Sequence, residues 1–354
     1  MTVRLAIIGS GFGAQVHLPG FAATEGADVV AIADAGSGRA QQVAHQAGVP
    51  MAYSSWQPII NDDRIDAVSV AATPDVQADI VCAALSNGKH TLCEKPFGRT
   101  ITDATNMCDA ACSTRLINAI DFQFRMEPGI AELKRQIDLG TIGPLRRIDV
   151  TWLTGGRADP DRPWSWQHDR ESGGGVIDAL SSHVVDYLEW VANPISRVFA
   201  QSQILIRSRR DGEGNQRRVT AEDSVDLMCL LSDGVVATAA ISNCHRADLG
   251  HRIEVYGKDG RLVFIHQPPF APSNASLVAD TKAGRREIDL STPVGASADS
   301  RSARFQELAS RFVDAISGKV GGELPSFQDG LRVRRVLDAV RQSIHEERAI
   351  ECQH

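Results

Sequence analysis

The sequence Leu5-Ala-Ile-Ile-Gly-Ser-Gly-Phe-Gly-Ala14 decides the fold of this chain. Its four apolar residues have the length of a buried parallel strand, and the glycines that follow break the strand into a turn. Gly9 allows the tight turn, Gly11 lets the backbone approach a pyrophosphate, and Ala14 is small enough for a helix to pack on the strand. That helix would point its first free N–H groups at the phosphates. The pattern predicts a dinucleotide-binding loop made of Gly9, Ser10, Gly11, Phe12 and Gly13.

A second apolar strand, residues 28–33, ends in Asp34, about 20 residues after the glycine-rich turn. A carboxylate at this position can accept hydrogen bonds from the hydroxyls of an adenosine ribose, and it would repel a 2′-phosphate. We therefore expect NAD to be preferred over NADP, although Ser37 and Arg39 lie close enough in the sequence to soften that preference. A plain strand-turn-helix with a solvent-exposed Asp34 is the alternative interpretation.

The size and composition of the chain indicate a globular protein of two domains. Its 354 residues exceed what one hydrophobic core normally organises. Hydrophobic residues make up 43% and charged residues 23%, as in ordinary soluble proteins. The net charge is −7, and the longest basic cluster, residues 207–218, is interrupted by acidic residues and glycines. We interpret that cluster as a solvated loop or hairpin tip and expect no nucleic-acid partner.

Cysteine usage and hydropathy point to the cytoplasm. The seven cysteines are odd in number and include no C-x-x-C pair, which argues against disulfides and structural zinc, so no metal is expected. No apolar stretch reaches the roughly 18 residues of a membrane span, so no membrane partner is expected. The first glycines come too early for a signal peptide.

The pattern of apolar segments changes near residue 122. Residues 1–122 alternate short apolar strands with helices, which predicts a doubly wound α/β domain with a parallel sheet. Residues 123–354 begin and end with helices and carry alternating strands in series between them, which predicts an α+β domain with a mainly antiparallel sheet. We predict strands at 3–8, 28–33, 67–70, 90–93, 116–120, 145–153, 198–206, 224–231, 235–244, 252–256 and 261–265. We predict helices at 14–25, 39–47, 76–87, 129–139, 303–317 and 326–347.

Glu94-Lys95-Pro96 follows the strand 90–93 and therefore lies at its carboxyl end, the edge where doubly wound sheets bind ligands. A lysine there can reach a nicotinamide ribose or a substrate hydroxyl. A surface lysine before a turn is the alternative interpretation.

A second cluster begins at three successive glycines, residues 173–175, and includes His183 and Asp186. If a helix starts near Val176, His183 and Asp186 lie three residues apart on one face. A histidine titrates near neutrality and can take the proton of an alcohol as hydride leaves its carbon. The alternative is a buried histidine paired structurally with Asp186.

Trp164 and Trp166 lie two residues apart in a turn-rich segment just before the glycines. They form either a stacking wall or lid for a ring-shaped polyol, or an aromatic contact that packs the domains.

Taken together, these features resemble the Gfo/Idh/MocA oxidoreductase family over essentially the whole chain. The Glu-Lys-Pro motif is the most specific match. The other matching residues are the opening turn with His17, Asp34, Ala72-Thr73-Pro74, Phe122-Gln123-Phe124-Arg125, residues 139–143, the triple glycine with His183 and Asp186, and residues 327–330.

The resemblance implies a Rossmann domain followed by an α+β domain whose large open sheet often buries a partner subunit, so a homodimer or homotetramer is expected. It implies hydride exchange between a nicotinamide and a sugar, cyclitol or related polyol, with Lys95 and His183 as the catalytic residues. Further cofactor contacts are expected at Ala72, Thr73, Pro74, Gln77, Glu94 and Gln123. Substrate contacts are expected at Arg125, Trp164, Trp166, Asp178 and His183.

Two positions depart from the family pattern. The Asp usually found four residues before the histidine is Ala179 here, and Asp178 would point about 100° away from that position on an α-helix. The histidine often found after the Thr-Pro loop is Gln77. Two other functions stay open: a sensor that binds dinucleotide without turnover, and an NAD-dependent glycoside hydrolase. Retention of Lys95 and His183 favours a dehydrogenase.

Overall fold

A computed structural model of the protein describes residues 2–290 and 300–353. The described chain divides into two compact units, residues 2–126 with 300–334 and residues 127–290 with 335–353. This division differs from the sequence boundary after residue 122, because a late helix returns to the first unit. Phe305 and Phe312 of that helix belong to the same buried core as Leu5 and Phe21.

The strands of the first unit, as described, form a six-stranded parallel sheet in the order β3-β2-β1-β4-β5-β6. This is the Rossmann order, and the predicted fold class is confirmed. β3 has only three residues, which is too short a segment for the sequence pattern to reveal. The strands are β1 Val3–Ile8, β2 Ala27–Ala33, β3 Met51–Tyr53, β4 Ala67–Val70, β5 His90–Cys93 and β6 Asn118–Ile120.

Helices cover this sheet and start at recognisable residues. The Thr100 hydroxyl and the Asp103 carboxylate cap one of them reciprocally, and Pro74 opens another. The helix after the glycine turn begins as a π-helix, Gly13–His17, and only then becomes α-helical, so the predicted helix at 14–25 is irregular. The α-helices of this stretch are α1 Leu18–Ala22, α2 Arg39–Ala47, α3 Gln57–Ile60, α4 Pro74–Ser86 and α5 Ile101–Cys112.

The glycine-rich turn is held by close packing rather than by sequence preference alone. Gly9 has φ +123°, and a Cβ there would collide with the carbonyl group of Ala71. A Cβ on Gly13 would lie 2.9 Å from the Ile7 side chain, so Gly13 makes the close helix-to-strand approach that the sequence analysis gave to Ala14. Gly11 faces open space. Its exposed backbone therefore has room for a phosphate group.

The second unit contains a nine-stranded sheet among its described residues, in the order β16-β15-β14-β13-β7-β12-β11-β8-β17. All neighbours are antiparallel except β7 and β12, so the expected mainly antiparallel sheet is confirmed. The sheet strands are β7 Leu145–Leu153, β8 Ile195–Gln203, β11 Ser224–Leu231, β12 Val236–Ser242, β13 Gly250–Gly257, β14 Gly260–His266, β15 Ala275–Thr281, β16 Gly284–Ile288 and β17 Ile350–Glu351.

A separate hairpin joins β9 Ser208–Arg210 to β10 Gln216–Arg218, which confirms the hairpin tip predicted for the basic cluster. The sequence prediction placed β8 three residues too late. The helices of this part of the chain are α6 Pro128–Asp138, α7 Ser182–Val191, α8 Ser300–Ile316 and α9 Phe327–Glu346. A π-helix, Ile177–Ser181, leads directly into α7.

The nine-stranded sheet is buried on one face only. Tyr187 of α7 hydrogen-bonds to His251 on β13, and Ser343 of α9 accepts a hydrogen bond from Ala200 on β8. The strands alternate between buried and accessible residues, and Met228 on the other face is 54% exposed. No helix in the described ranges is long and apolar enough to cross a membrane.

Replacing Gly9 with alanine tests the packing of the turn. We expect Gly9→Ala to destabilise the protein by about 2 kcal/mol or more, because the new methyl group meets the Ala71 backbone at a strained φ. Gly11→Ala is the matched control, and its unfolding should change by less than about 0.5 kcal/mol. Differential scanning calorimetry of both variants measures the effect. Equal melting temperatures for wild type and Gly9→Ala would contradict the assignment.

Candidate active site

The loops that follow β1, β2, β4, β5 and β6 meet at one edge of the parallel sheet, because parallel strands share the direction of their carboxyl ends. The strand order reverses between β1 and β4, and ligands of open α/β sheets bind at such a switch point. The structure therefore brings together, within the first unit, the predicted cofactor residues Gly9, Ser10, Gly11, Phe12, Gly13, Asp34, Ala72, Thr73, Pro74, Gln77, Glu94, Lys95 and Gln123.

Asp34 ends β2 and organises the loop after it. Its carboxylate accepts hydrogen bonds from the backbone N–H groups of Gly36 and Ala40 at 2.8 and 2.9 Å, and from the Ser37 hydroxyl at 2.8 Å. Burial raises the pKa of Asp34, but these hydrogen bonds outweigh burial and hold the pKa below its ordinary value. Asp34 is thus a fixed negative charge, and the exposed Arg39 begins α2 directly after the loop.

Gln77 is fully buried and connects two loops, the one after β4 and the one after β5. Its amide nitrogen donates to the carbonyl oxygens of Ala72 and Glu94 at 3.2 and 3.1 Å, and its oxygen accepts from the Gly98 N–H at 2.9 Å. The sequence analysis placed Gln77 against the cofactor. That contact stays a prediction. The hydrogen bonds of the amide to backbone groups show that Gln77 holds the Glu-Lys-Pro loop in place.

His17, Glu94 and Asp121 form a buried cluster under the same edge. The Nε2 atom of His17 lies 3.0 Å from Glu94 Oε1 and 3.6 Å from Asp121 Oδ2, and its Nδ1 atom lies 2.7 Å from the Ser69 hydroxyl. The imidazole stacks on the Phe305 ring at 4.1 Å. The sequence analysis missed Asp121, although its position just after β6 matches that of Glu94 just after β5 and could have found it.

The three ionisable groups shift the pKa values of one another. Burial lowers the pKa of His17, but its contacts with Asp121 and Glu94 outweigh burial and raise the pKa to about 9. Burial and repulsion by Asp121 raise the pKa of Glu94. Burial also acts to raise the pKa of Asp121, but its contacts with His17 and Glu94 and the charges of His17 and Lys95 hold it below the ordinary value. The contacts within the cluster therefore favour the protonated forms of His17 and Glu94 and the ionised form of Asp121.

The same three side chains have the donors of a metal site. One ligand atom from each lies within 4.8 Å of the others, which the spacing of these residues in the sequence did not suggest. The direct hydrogen bond between His17 and Glu94 accounts for their proximity without an ion.

Gln123 and Arg125 follow Asp121 in a 3-10 turn and are both buried. The Gln123 amide donates to Asp121 at 3.2 Å, so this side chain extends the cluster. Arg125 forms ion pairs with Asp329 at 3.1 Å and Glu323 at 3.7 Å. Its guanidinium group therefore binds carboxylates of its own unit, and its predicted contact with substrate stays a prediction.

In the second unit, the π-helix Ile177–Ser181 changes the phase of the residues before His183. A π-turn holds one residue more than an α-turn, so Asp178 takes the place that an α-helix would give to position 179. Asp178 thereby lies within about 40° of His183 around the helix axis, instead of on another face. The sequence argument that separated Asp178 from His183 assumed a regular α-helix and is corrected here.

Asp178 and His183 are both buried. Asp178 accepts a hydrogen bond from Arg341 on α9, an ion pair that the sequence gave no sign of. Glu222 caps the start of the π-helix, where its carboxylate accepts the N–H of Ile177 at 3.3 Å. Burial raises the pKa of Glu222, and Arg341 acts against that rise. Arg341 thus supplies positive charge to two buried carboxylates beside the histidine helix.

The two tryptophans have different surroundings. Trp164 donates its indole N–H to the Arg218 carbonyl at 3.2 Å, and Arg217 lies over its ring at 4.9 Å. It therefore packs on the β9-β10 hairpin. Trp166 is 46% exposed and has an open ring surface. Of the two, Trp166 is the one available to a ligand.

Two protein-family models match the chain. One, described as the oxidoreductase family with an NAD-binding Rossmann fold, matches residues 3–122. The other, the GFO/IDH/MocA C-terminal domain, matches residues 130–263. Fold and glycine-rich turn define an NAD-binding oxidoreductase. The chain belongs to the Gfo/Idh/MocA oxidoreductase family, which confirms the resemblance drawn from its motifs.

Relatives match over the full length of the chain. Levoglucosan dehydrogenase of Pseudarthrobacter phenanthrenivorans is 28% identical over 379 residues, covering 98% of this chain and 97% of that protein. Inositol 2-dehydrogenase of Rhizobium meliloti is 27% identical, with 99% of each covered. A solved structure of levoglucosan dehydrogenase in complex with NADH and L-sorbose has a TM-score of 0.89, 25% identity and 99% coverage of both chains.

The proton on His17 makes stability depend on pH. Because folding raises the pKa of His17 from 6.5 to about 9, its contribution is complete below pH 6.5 and is lost as the pH rises through 9. We expect the melting temperature of the cofactor-free protein to fall between pH 6.5 and 9, and His17→Gln to flatten that fall. The exposed His45 gives the control, since His45→Gln should leave the fall unchanged. A flat wild-type profile would contradict a cationic His17.

Proposed function

We propose that the protein is an NAD-dependent dehydrogenase that oxidises a hydroxyl group of a sugar, cyclitol or related cyclic polyol. The carrying observation is the position of Lys95, which follows β5 at the same sheet edge as the glycine-rich turn after β1. The names of the levoglucosan and inositol dehydrogenases support the substrate class. We further propose that the first unit binds the cofactor, that the second unit binds the substrate, and that the protein works in the cytoplasm.

The glycine-rich turn fits a dinucleotide. The space in front of Gly11 is open, and the helix that begins at Gly13 offers N–H groups that no side chain caps. Asp34 would hold the ribose hydroxyls with its remaining lone pairs, so we propose NAD as the preferred cofactor over NADP. When bound, NAD accepts a hydride from the substrate carbon.

Side chains of the protein bind the substrate hydroxyl group and accept its proton. We propose that the Lys95 ammonium donates a hydrogen bond to the oxygen of the reacting carbon, and that His183 takes the hydroxyl proton as the carbonyl forms. Asp178 orients the imidazole, because the π-helix places both on one face. Trp166 contributes a ring surface for the substrate.

The exposed face of the nine-stranded sheet supports the proposal of a homodimer or homotetramer. Met228 and Phe199 lie on that face beside charged and polar side chains. A second copy of the chain would cover the apolar part of this face.

Turnover with a panel of substrates tests the proposed function. We expect NADH absorbance to rise with at least one sugar, anhydrosugar or cyclitol, and Lys95→Ala to abolish the rise while changing the Kd for NAD by less than about 3-fold, since the glycine turn is untouched. Arg99→Ala, an exposed residue on the following loop, is the control. Binding of NAD without any turnover would favour a sensor, and hydrolysis without net NADH would favour a glycosidase.

Replacing Asp178 tests the geometry of the π-helix. His183→Ala should lower kcat about 10²-fold or more, the usual effect of losing a positioned proton acceptor. Asp178→Asn should move the pH midpoint of the oxidation rate to lower pH, since a nearby carboxylate favours protonated imidazole. Arg341→Gln should move the midpoint the opposite way, because it leaves Asp178 less neutralised.

Asp186→Asn is the matched control on the same helix. The pH midpoint of its oxidation rate should equal that of the wild type. A shift with Asp186→Asn and none with Asp178→Asn would show that the imidazole is oriented by Asp186 instead.

A further inference from the structure

The buried cluster of His17, Glu94 and Asp121 has no part in the hydride and proton transfers proposed above. Yet it lies directly beside the lysine that does. Glu94 immediately precedes Lys95, and the charge of Lys95 acts on the Asp121 carboxylate. Three charged or titratable side chains, each less than a tenth exposed, are costly to bury unless they interact. A cluster of this kind at a ligand-binding edge calls for a functional explanation.

The close packing of the three residues determines which of them are charged. Two carboxyl groups packed against one imidazole cannot both ionise, so they share a proton. The charges then consist of one carboxylate, at Asp121, and one imidazolium, at His17. Lys95 adds a second cation. Asp121 therefore interacts with two cations, His17 and Lys95.

The surroundings keep these groups in place. The imidazole of His17 is fixed by two contacts. It hydrogen-bonds to the Ser69 hydroxyl on β4 and stacks on the Phe305 ring of α8. The Gln123 amide fixes Asp121, and the Gln77 amide fixes the backbone at Glu94. Cys93 is buried next to Glu94, and burial raises the pKa of its thiol well above the usual value, so it stays neutral. The side chains of the cluster are therefore held rigidly at the edge of the sheet.

We propose that Asp121 is the positioning residue for Lys95. The proton shared by the two carboxyl groups stays on Glu94, next to the His17 imidazolium, so that Asp121 is the ionised one. Asp121 attracts the Lys95 ammonium and thereby holds this group in position to donate to the reacting oxygen. This inference rests on the proposed function of Lys95, but it concerns residues that need not touch cofactor or substrate.

The sharing of one proton leads to a specific form of redundancy. When Asp121 is replaced by asparagine, the repulsion that keeps Glu94 protonated disappears, and Glu94 can ionise beside His17. Glu94 would then supply part of the missing negative charge. When both carboxyl groups are replaced, no carboxylate of the cluster remains to direct Lys95 or to hold a proton on His17.

A double-mutant cycle tests this proposal. We expect Asp121→Asn to lower kcat about 10-fold and Glu94→Gln about 3-fold, with the KM for NAD changed by less than about 3-fold in each. The double variant should lose far more activity than the product of the two single effects and approach Lys95→Ala. Single effects that simply multiply would overturn the proposal, because independent structural damage behaves in that way.

Asp103→Asn is the control for loss of stability. Asp103 belongs to the cap of α5 in the same unit, so this variant should lower the melting temperature and leave kcat unchanged. If Lys95→Ala is itself fully active, the proposed function fails. If Lys95→Ala is inactive while Asp121→Asn has wild-type kcat, only the present inference fails.

A spectroscopic measurement on the cofactor-free protein keeps the test independent of activity. The ¹⁵N resonances of labelled imidazole, assigned with His17→Gln, should show His17 doubly protonated at pH 7.5 in the wild type and neutral in the double variant. A neutral His17 in the wild type would overturn the proposed charges of the cluster. Elemental analysis of the purified protein should find no stoichiometric metal, and a bound metal lost in Asp121→Asn would likewise overturn it in favour of a metal site.

Discussion

The sharing of one proton between two buried carboxyl groups, next to an imidazolium, is the constraint on which the candidate site depends. The shared contact ties together β4 through Ser69, β5 through Glu94 and β6 through Asp121, and it ties α8 to them through Phe305. Neutral residues in these places would remove the negative charge of Asp121, which interacts with the charge of Lys95. Burial strengthens this effect, because charges interact more strongly where water is excluded.

Two of the helices that carry buried histidines begin with a π-helix. One runs from Gly13 to His17 and ends in the buried histidine of the first unit, and the other runs from Ile177 to Ser181 just before His183. A π-turn accommodates one more residue than an α-turn and shifts every preceding side chain around the helix. In the second unit this shift gives Asp178 the position that the family pattern assigns to the residue after it. We therefore propose that Asp178 stands in for the family aspartate that is absent at Ala179.

Two buried polar residues of the first unit acquire a structural explanation from their contacts. Gln77 stands where the family pattern often has a histidine, and its amide holds the backbone of two loops at three points. This needs two donors and one acceptor in one plane. Arg125 lies buried beside two carboxylates of its own unit. Neither residue could be separated from a ligand-binding residue by its type, because amides and guanidinium groups serve both purposes.

Short apolar runs, glycines and motif spacing determined much of this protein from the sequence alone. The strands β1, β4, β5, β7 and β11 begin and end where the runs of apolar or alternating residues do, because such patterns are local and are set by burial on one or both faces. The glycine turn, Asp34 and Lys95 follow from the rule that parallel strands present their carboxyl ends at one edge.

Only the tertiary structure decided which distant residues meet. The pairing of His17 with Asp121, the return of α8 to the first core and the ion pair between Asp178 and Arg341 join residues more than 100 positions apart. Strand order and helix phase set these contacts, and neither is a local property of the chain. A single π-turn was enough to move Asp178 to another face, since one added residue rotates the helix by about 100°.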